Sequence, residues 1–283
     1  QLPDFDITEV FSGDSAFMSG FDTYAADQFP MRDAFRSLYT FVSYNVMGRK
    51  EVNDFYKSKN HIGKLEYAIN QDSIDWSINR VNYINDKYLE NSNVYFAVIP
   101  DKGYYLTEGS NYPHIDYDLF LAKLQEGIKF ADIIDLRDKL SADDYYLTDT
   151  HWKQEEVADV AGYLSNVMGN EYSYEYTAEA VKNDFSGVYY GQSAISAPLD
   201  TITILKADYM DNLNVTCYDT GKPEAIDIYD MEALNGMDPY EVYLTGSKAL
   251  ITIENPSADT DKELVVIRDS FASSLAPLLA GNY

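Results

Sequence analysis

Val94-Tyr95-Phe96-Ala97-Val98-Ile99 is an unbroken apolar run closed by Pro100. Such a run reads as a parallel strand buried on both faces. Working outward, Phe120, Leu124 and Ile128 follow at helical spacing, and Ile133-Ile134 marks a second short strand. Upstream, Ile74, Ile78, Val81 and Tyr88 form one helical stripe over 74–89. Downstream, Val157, Val160, Ala161, Leu164, Val167 and Met168 recur at three- and four-residue steps. Strand, helix, strand, loop and helix in that order argue for an α/β layer. Leu264-Val265-Val266-Ile267 returns to the buried-strand pattern, and Phe271, Leu275, Leu278 and Leu279 follow at helical spacing. The expectation is that 94–99 and 264–267 lie side by side in one parallel sheet.

Elsewhere the pattern changes. Phe17, Phe21, Tyr24 and Ala25 form one apolar stripe, Pro30 interrupts, and Phe35, Leu38, Val42 and Val46 form another. Residues 1–60 therefore read as an N-terminal helical segment packed on an α/β domain of 61–283. Between about 170 and 260, short β-like pieces at 201–205, 214–218, 242–244 and 249–253 alternate with polar turns. Gly246-Ser247 is placed to turn a hairpin between the last two. This stretch reads as an antiparallel insertion.

Composition excludes more than it assigns. The chain has 283 residues, 46% of them hydrophobic, enough for a large core. Lys+Arg number 21 against Asp+Glu 47, a net charge of −26. Such a surface repels phosphate backbones and anionic bilayers, and no Lys/Arg run offsets it. No nucleic-acid partner is expected. No run of 18 apolar residues exists, so no membrane span is expected in this stretch. Cys217 is the sole cysteine, so no intrachain disulfide can form. The chain begins with Gln1 rather than Met, as a processed chain would.

Tyr145-Tyr146-Leu147-Thr148-Asp149-Thr150-His151-Trp152 carries the chemistry. In an extended segment Asp149 and His151 point to one side. A carboxylate beside an imidazole holds the ring in one tautomer and stabilises its charged form. The plainer reading is that Asp149 caps the following helix and His151 is a satisfied, half-buried ring. Ser270 stands at the expected strand-to-helix junction after Asp269, where α/β sites form and where a helix offers free N–H groups. Ser270, His151 and Asp149 together supply a nucleophile, a base and an orienter. Tyr146, Thr148, Tyr189 and Tyr190 are candidate substrate contacts, although packing around the loop also explains the three tyrosines. Trp152 and Asp269 are expected to support the site.

The strand ending in Asp269-Ser270 is similar to the Gly-Asp-Ser nucleophile block of SGNH hydrolases. The stretch Asp149-Thr150-His151-Trp152 resembles the Asp-His-His-Trp signature of the bacterial DHHW family. It also resembles the Asp-x-His-Trp motif of SGNH-like proteins that O-acetylate alginate. Gln28-Phe29-Pro30-Met31-Arg32-Asp33 and Val98-Ile99-Pro100-Asp101-Lys102 fit the same pattern. The resemblance implies a flavodoxin-like three-layer α/β sandwich with N-terminal helices and the antiparallel insertion. It implies Ser270 as nucleophile, His151 as general base and Asp149 as orienter, with no cofactor and no metal. It further implies a secreted or surface-anchored bacterial esterase or O-acyltransferase acting on polysaccharide. Its partners would be a polysaccharide acceptor and an acyl donor, with a membrane acyl-transfer protein as one source of the acyl group. Arg268 stands where the serine block has glycine, and Thr150 where the signature has its first histidine. No Gly-x-Asn-Asp block supplies a side-chain oxyanion donor. Chains of this family continue with another strand beyond the position of Tyr283, which is expected here too.

Two other classes stay open. A non-catalytic carbohydrate- or cell-wall-binding protein on the same fold would tolerate Arg268 and the missing oxyanion side chain. A metal enzyme would have only His61, His114 and His151 to draw on, with no H-E-x-x-H motif or Cys pair.

Overall fold

The computed structural model describes residues 31–107, 110 and 112–283. The stripe expected over Phe17, Phe21, Tyr24 and Ala25 lies outside them. The first described helix, α1, spans Arg32–Phe41 and passes into a π turn at Val42–Val46. Leu38 and Val46 are exposed rather than buried, so this helix does not present the expected core-facing stripe. The hairpin of β1 (Phe55–Ser58) and β2 (His61–Lys64) follows, with Ser58 opposite His61. It straddles residue 60, so the boundary expected there falls inside a paired element.

Helix α2 (Gln71–Tyr88) starts where Asn70 accepts the Ser73 amide. Strand β3 (Val94–Val98) leads into the short helix α3 (Lys102–Leu106), capped by Asp101 through the Gly103 amide. Helix α4 (Tyr117–Gly127) and β4 (Ala131–Asp135) complete a strand–helix–strand unit. β3 and β4 pair in parallel, Val94 opposite Ala131. Val98, Tyr117, Leu121, Leu124 and Ile128 close the core between them. The α/β layer read from the sequence is present in this unit.

Residues 264–267 correct the larger architecture. They join no strand, and Val265 and Ile267 are 82% and 78% exposed. Among the described residues β3 pairs only with β4. An apolar run states what a segment would bury, but not which partner reaches it. The molecule is thus a mixed α/β fold with small sheets.

Helix α5 (Ala158–Val167) enters through a 3-10 turn at Gln154–Glu156. Strand β5 (Thr177–Phe185), helix α6 (Val188–Ser193) and strand β6 (Asp200–Lys206) follow, β5 pairing antiparallel with β6. Strands β7 (Asn214–Cys217), β8 (Glu224–Ile226) and β9 (Ile251–Glu254) form an antiparallel sheet in the order β8-β7-β9. The antiparallel character expected for 170–260 is therefore observed. The hairpin at Gly246-Ser247 is not: 239–242 is a 3-10 turn, and β9 pairs with β7 instead. Helix α7 (Ala272–Leu279) follows Ser270 as expected. It sends Leu275, Leu278 and Leu279 into one cluster with Tyr145, Trp152, Val157, Val160, Ala161 and Leu164. That shared core joins two segments more than a hundred residues apart. No helix among the described residues is long and apolar enough to cross a membrane.

Candidate active site

Tyr145 and Trp152 form an isolated antiparallel bridge, and the Tyr146 amide donates to the His151 carbonyl at 3.1 Å. The intervening residues make a closed loop rather than an extended segment. Asp149 folds back within it: Oδ1 accepts the His151 amide at 3.0 Å and meets ring Nδ1 at 2.6 Å. This side-chain turn is typical of Asp and explains why two-residue spacing suffices. Asp149 Oδ2 accepts the Val188 amide at 2.7 Å from the start of α6. Gly187 has no side chain because a Cβ there would strike Asp149. Since α5 begins only at Ala158, Asp149 does not cap it.

The third group arrives from α7. Trp152 is fully buried, and its indole N–H donates to Ser274 Oγ at 2.9 Å and to the Phe271 carbonyl at 3.1 Å. Gln154 Nε2 donates to the Ser274 carbonyl at 2.8 Å. These bonds fasten the first turn of α7 to the loop. Ser270 Oγ then lies 2.7 Å from His151 Nε2. Both contacts of the Asp149–His151–Ser270 chain lie within ordinary hydrogen-bond range. Tyr240, on the 3-10 turn Pro239–Val242, stacks on the imidazole with ring centroids 3.8 Å apart and planes 8° from parallel.

A family model described as DHHW protein matches residues 119–283. The chain belongs to the DHHW family. No curated protein matches it at a significant level. Among solved structures, PatB1 of Bacillus cereus is similar at 22% identity, with 81% of this chain and 84% of that chain covered and a TM-score of 0.67. The same protein solved with a sulfonyl adduct aligns at 20% identity, over 82% of this chain and 85% of that one, TM-score 0.67. A DHHW family protein from Eubacterium siraeum DSM 15702 aligns at 18% identity, over 82% of this chain and 81% of that one, TM-score 0.64. These likenesses establish a shared fold.

The expected substrate contacts of this DHHW-family chain separate into two groups. Tyr146 and Thr148 are wholly buried, which corrects their assignment. The Tyr146 hydroxyl meets that of Tyr243, and Thr148 Oγ1 donates to Asp200 and accepts from the Gly187 amide. Both side chains brace the loop from below and cannot stack on a sugar. Tyr189 is also buried, its hydroxyl donating to Thr150 Oγ1 at 3.0 Å. Tyr190 alone stays partly open, at 37%. Asp269 Oδ1 accepts the Phe271 amide, so that amide is already engaged. Arg268 fills the glycine position by turning outward, donating to Ser273 Oγ at 2.6 Å and to the Asp269 and Gly246 carbonyls. A groove of about 390 Å³ lined by Gln71, Ile78, Lys123 and Glu126 lies between α2 and α4, away from Ser270. Among the described residues no group of three His, Cys, Asp or Glu side chains is placed to hold a metal ion.

Reading the sequence assigned the loop's buried supports no role, although Lys102 stands in the 98–102 stretch that fits the family pattern. Asp200 accepts the Leu147 and Thr148 amides at 2.7 and 2.8 Å. Lys102, entirely buried, donates to the carbonyls of Tyr146 and Asp149. Tyr240 was missed as well. None of these lies near its partner in sequence, so no spacing signals it.

Electrostatics favour a charged Asp149. Burial pushes its carboxyl up, but bonds from the His151 ring and from the His151 and Val188 amides outweigh it and leave it below the usual range. His61 behaves oppositely: burial, then nearby Lys102, lowers it to about 4. Both shifts have the same sign for stability. Between pH 6.5 and about 4 the unfolded chain binds a proton that buried His61 refuses. Below about 3.8 the unfolded state also protonates Asp149 more readily. The contribution of these two groups is therefore full above pH 6.5 and falls through both windows, with His61 accounting for roughly 2–3 kcal/mol by pH 4. Thermal melts at pH 7.5, 5.5 and 4.5 test this. His61→Phe should flatten the fall above pH 4.5, and an equally steep fall in that variant would refute the assignment.

Proposed function

We propose that this chain is a serine O-acyltransferase or esterase, most simply O-acetyl, acting on an extracellular or cell-wall polysaccharide. The observation that carries this reading is the continuous Asp149–His151–Ser270 chain, with contacts of 2.6 and 2.7 Å. Membership of the DHHW family and the fold shared with PatB1 support it. The resemblance to SGNH enzymes supports the finer reading of a three-layer sandwich, a polysaccharide acceptor and a bacterial surface location.

With Asp149 accepting from Nδ1–H, His151 Nε2 carries the lone pair that faces the serine. Ser270 Oγ attacks the acyl carbon of an ester while Nε2 takes its proton. The C–O bond to the leaving alkoxide breaks, and the imidazolium returns the proton to that oxygen. A sugar hydroxyl or water then attacks the acyl-enzyme, giving its proton to Nε2; the acyl C–Oγ bond breaks and the imidazolium returns the proton to Ser270 Oγ. The imidazolium gains from Asp149 on one edge and from the face of Tyr240, whose phenol burial keeps neutral.

The direct test is labelling with a fluorophosphonate, followed by mass spectrometry of the modified peptide. Because a PatB1 structure carries a sulfonyl adduct, a sulfonyl fluoride is a suitable second probe. Modification confined to the peptide containing Ser270 supports the reading. An intact folded protein that remains unlabelled would leave the binding-protein alternative. Tyr240→Leu should slow labelling about 3- to 30-fold, the equivalent of roughly 0.5–2 kcal/mol for a cation–aromatic contact. An unchanged rate would reduce that stack to packing.

A further inference from the structure

Lys102 is a lysine with no exposed surface, and among the described residues the only other buried side chains of Lys, Arg, Asp or Glu are Asp149 and Asp200. Its ammonium donates to the carbonyls of Asp149 at 2.5 Å, Tyr146 at 2.9 Å and Leu147 at 3.4 Å. It also lies 4.8 Å from the centroid of the Tyr189 ring. These three carbonyls and one aromatic face use the donors of the whole group. The carbonyls belong to the loop that ends in His151, and one belongs to Asp149 itself. Burying an unpaired ammonium is costly, so its position is over-determined by this cage.

We infer that Lys102 is a positioning residue for His151: by gripping the Tyr146, Leu147 and Asp149 carbonyls, its ammonium sets the backbone turn from which Asp149 reaches the imidazole. The assignment rests on the proposed serine chemistry for its kinetic readout, but not for its structural one. Asp200 holds the same loop through its amides, so the two residues clamp opposite polarities of one backbone segment. A neutral amine would keep the packing and lose the charge-assisted strength of these bonds. The charged and titratable groups facing Lys102 are Asp149 on the loop, Asp101 before α3, Asp200 on β6, Tyr189 on α6 and His61 on β2. Burial lowers the Lys102 ammonium, the three carboxylates partly oppose this, and it loses its proton at about pH 8.

Two measurements on the full chain test the role. The first is the fluorophosphonate labelling rate of Ser270 against pH, corrected for reagent hydrolysis. Wild type should lose rate above about pH 8. Lys102→Met should label about 100-fold more slowly at pH 7, as small misplacements of reacting groups cost, and should lack the limb near pH 8. The second is the downfield proton resonance of His151 Nδ1–H in histidine-labelled protein. It should weaken in wild type through the same pH window and be lost or exchange-broadened in Lys102→Met. If Lys102→Met does not fold, the wild-type profile and resonance decide alone. A folded Lys102→Met with the wild-type rate and resonance overturns the proposal, as does a wild-type profile flat to about pH 10. If labelling persists in Ser270→Ala, or never occurs, the proposed activity fails and the resonance by itself decides on Lys102.

Discussion

Ser270→Ala and His151→Ala should each lower turnover of an activated aryl acetate by about 10⁴-fold, and together by hardly more. The near-equality is the informative part. Ser270 cannot act unless Nε2 takes its proton, and Nε2 has nothing to deprotonate once Oγ is gone, so the losses do not multiply. Asp149→Ala should cost less, because Ser270 and His151 remain in contact after their orienter is removed. Circular dichroism should show Ser270→Ala folded, since Ser270 is only half-buried, and it checks the fold of His151→Ala and Asp149→Ala, which remove buried groups. The measurement is steady-state release of the aryl leaving group with the uncatalysed rate subtracted. Equal turnover by wild type and Ser270→Ala would point to background hydrolysis and to a carbohydrate-binding role for the fold.

The second large effect is on stability. Asp200→Ala should destabilise the chain by about 3–5 kcal/mol, the range for removing one side of a buried charged network. Asp200 is 4% exposed and holds the Leu147 amide, the Thr148 amide and the Thr148 hydroxyl. Its removal leaves three donors buried, where water does not replace the carboxylate. It also strips a counter-charge from Lys102. Asp200→Asn keeps one acceptor oxygen and should cost roughly half as much. Urea denaturation read by tryptophan fluorescence measures both. Fluorescence should report the loop directly, because Trp152 sits beneath it with its indole bonded to Ser274. A loss under about 1 kcal/mol in Asp200→Ala would show that the loop's amides find other partners.

Much of the site was legible in the linear chain. Asp149 and His151 pair through a turn encoded by two-residue spacing and by the tendency of Asp to bond the amide two residues on. Trp152 had to be buried, as its apolar area dictates. The helix after Ser270 and the β3–α4–β4 unit follow from side-chain periodicity, which local backbone geometry reads directly. The DHHW signature lay in the same few residues. Periodicity misled at 264–267 and 242–244, where an apolar segment lacks the partner strand that would make it a ladder. Proximity to the reactive pair misled at Tyr146 and Thr148, which proved to be its floor.

What the sequence by itself determined is the chemical kind of each group and the local turn or helix that carries it, because those depend on neighbours within a few residues. The tertiary structure alone decided three things. It brought Ser270 to His151 by packing α7 against Trp152, placed Tyr240 over the imidazole, and set Lys102 and Asp200 on opposite polarities of one buried backbone loop. Each depends on burying polar groups in a shared interior, where an unmet hydrogen bond costs more than any local preference supplies. Such pairings have no period and no fixed spacing. They exist only once distant segments close around one core.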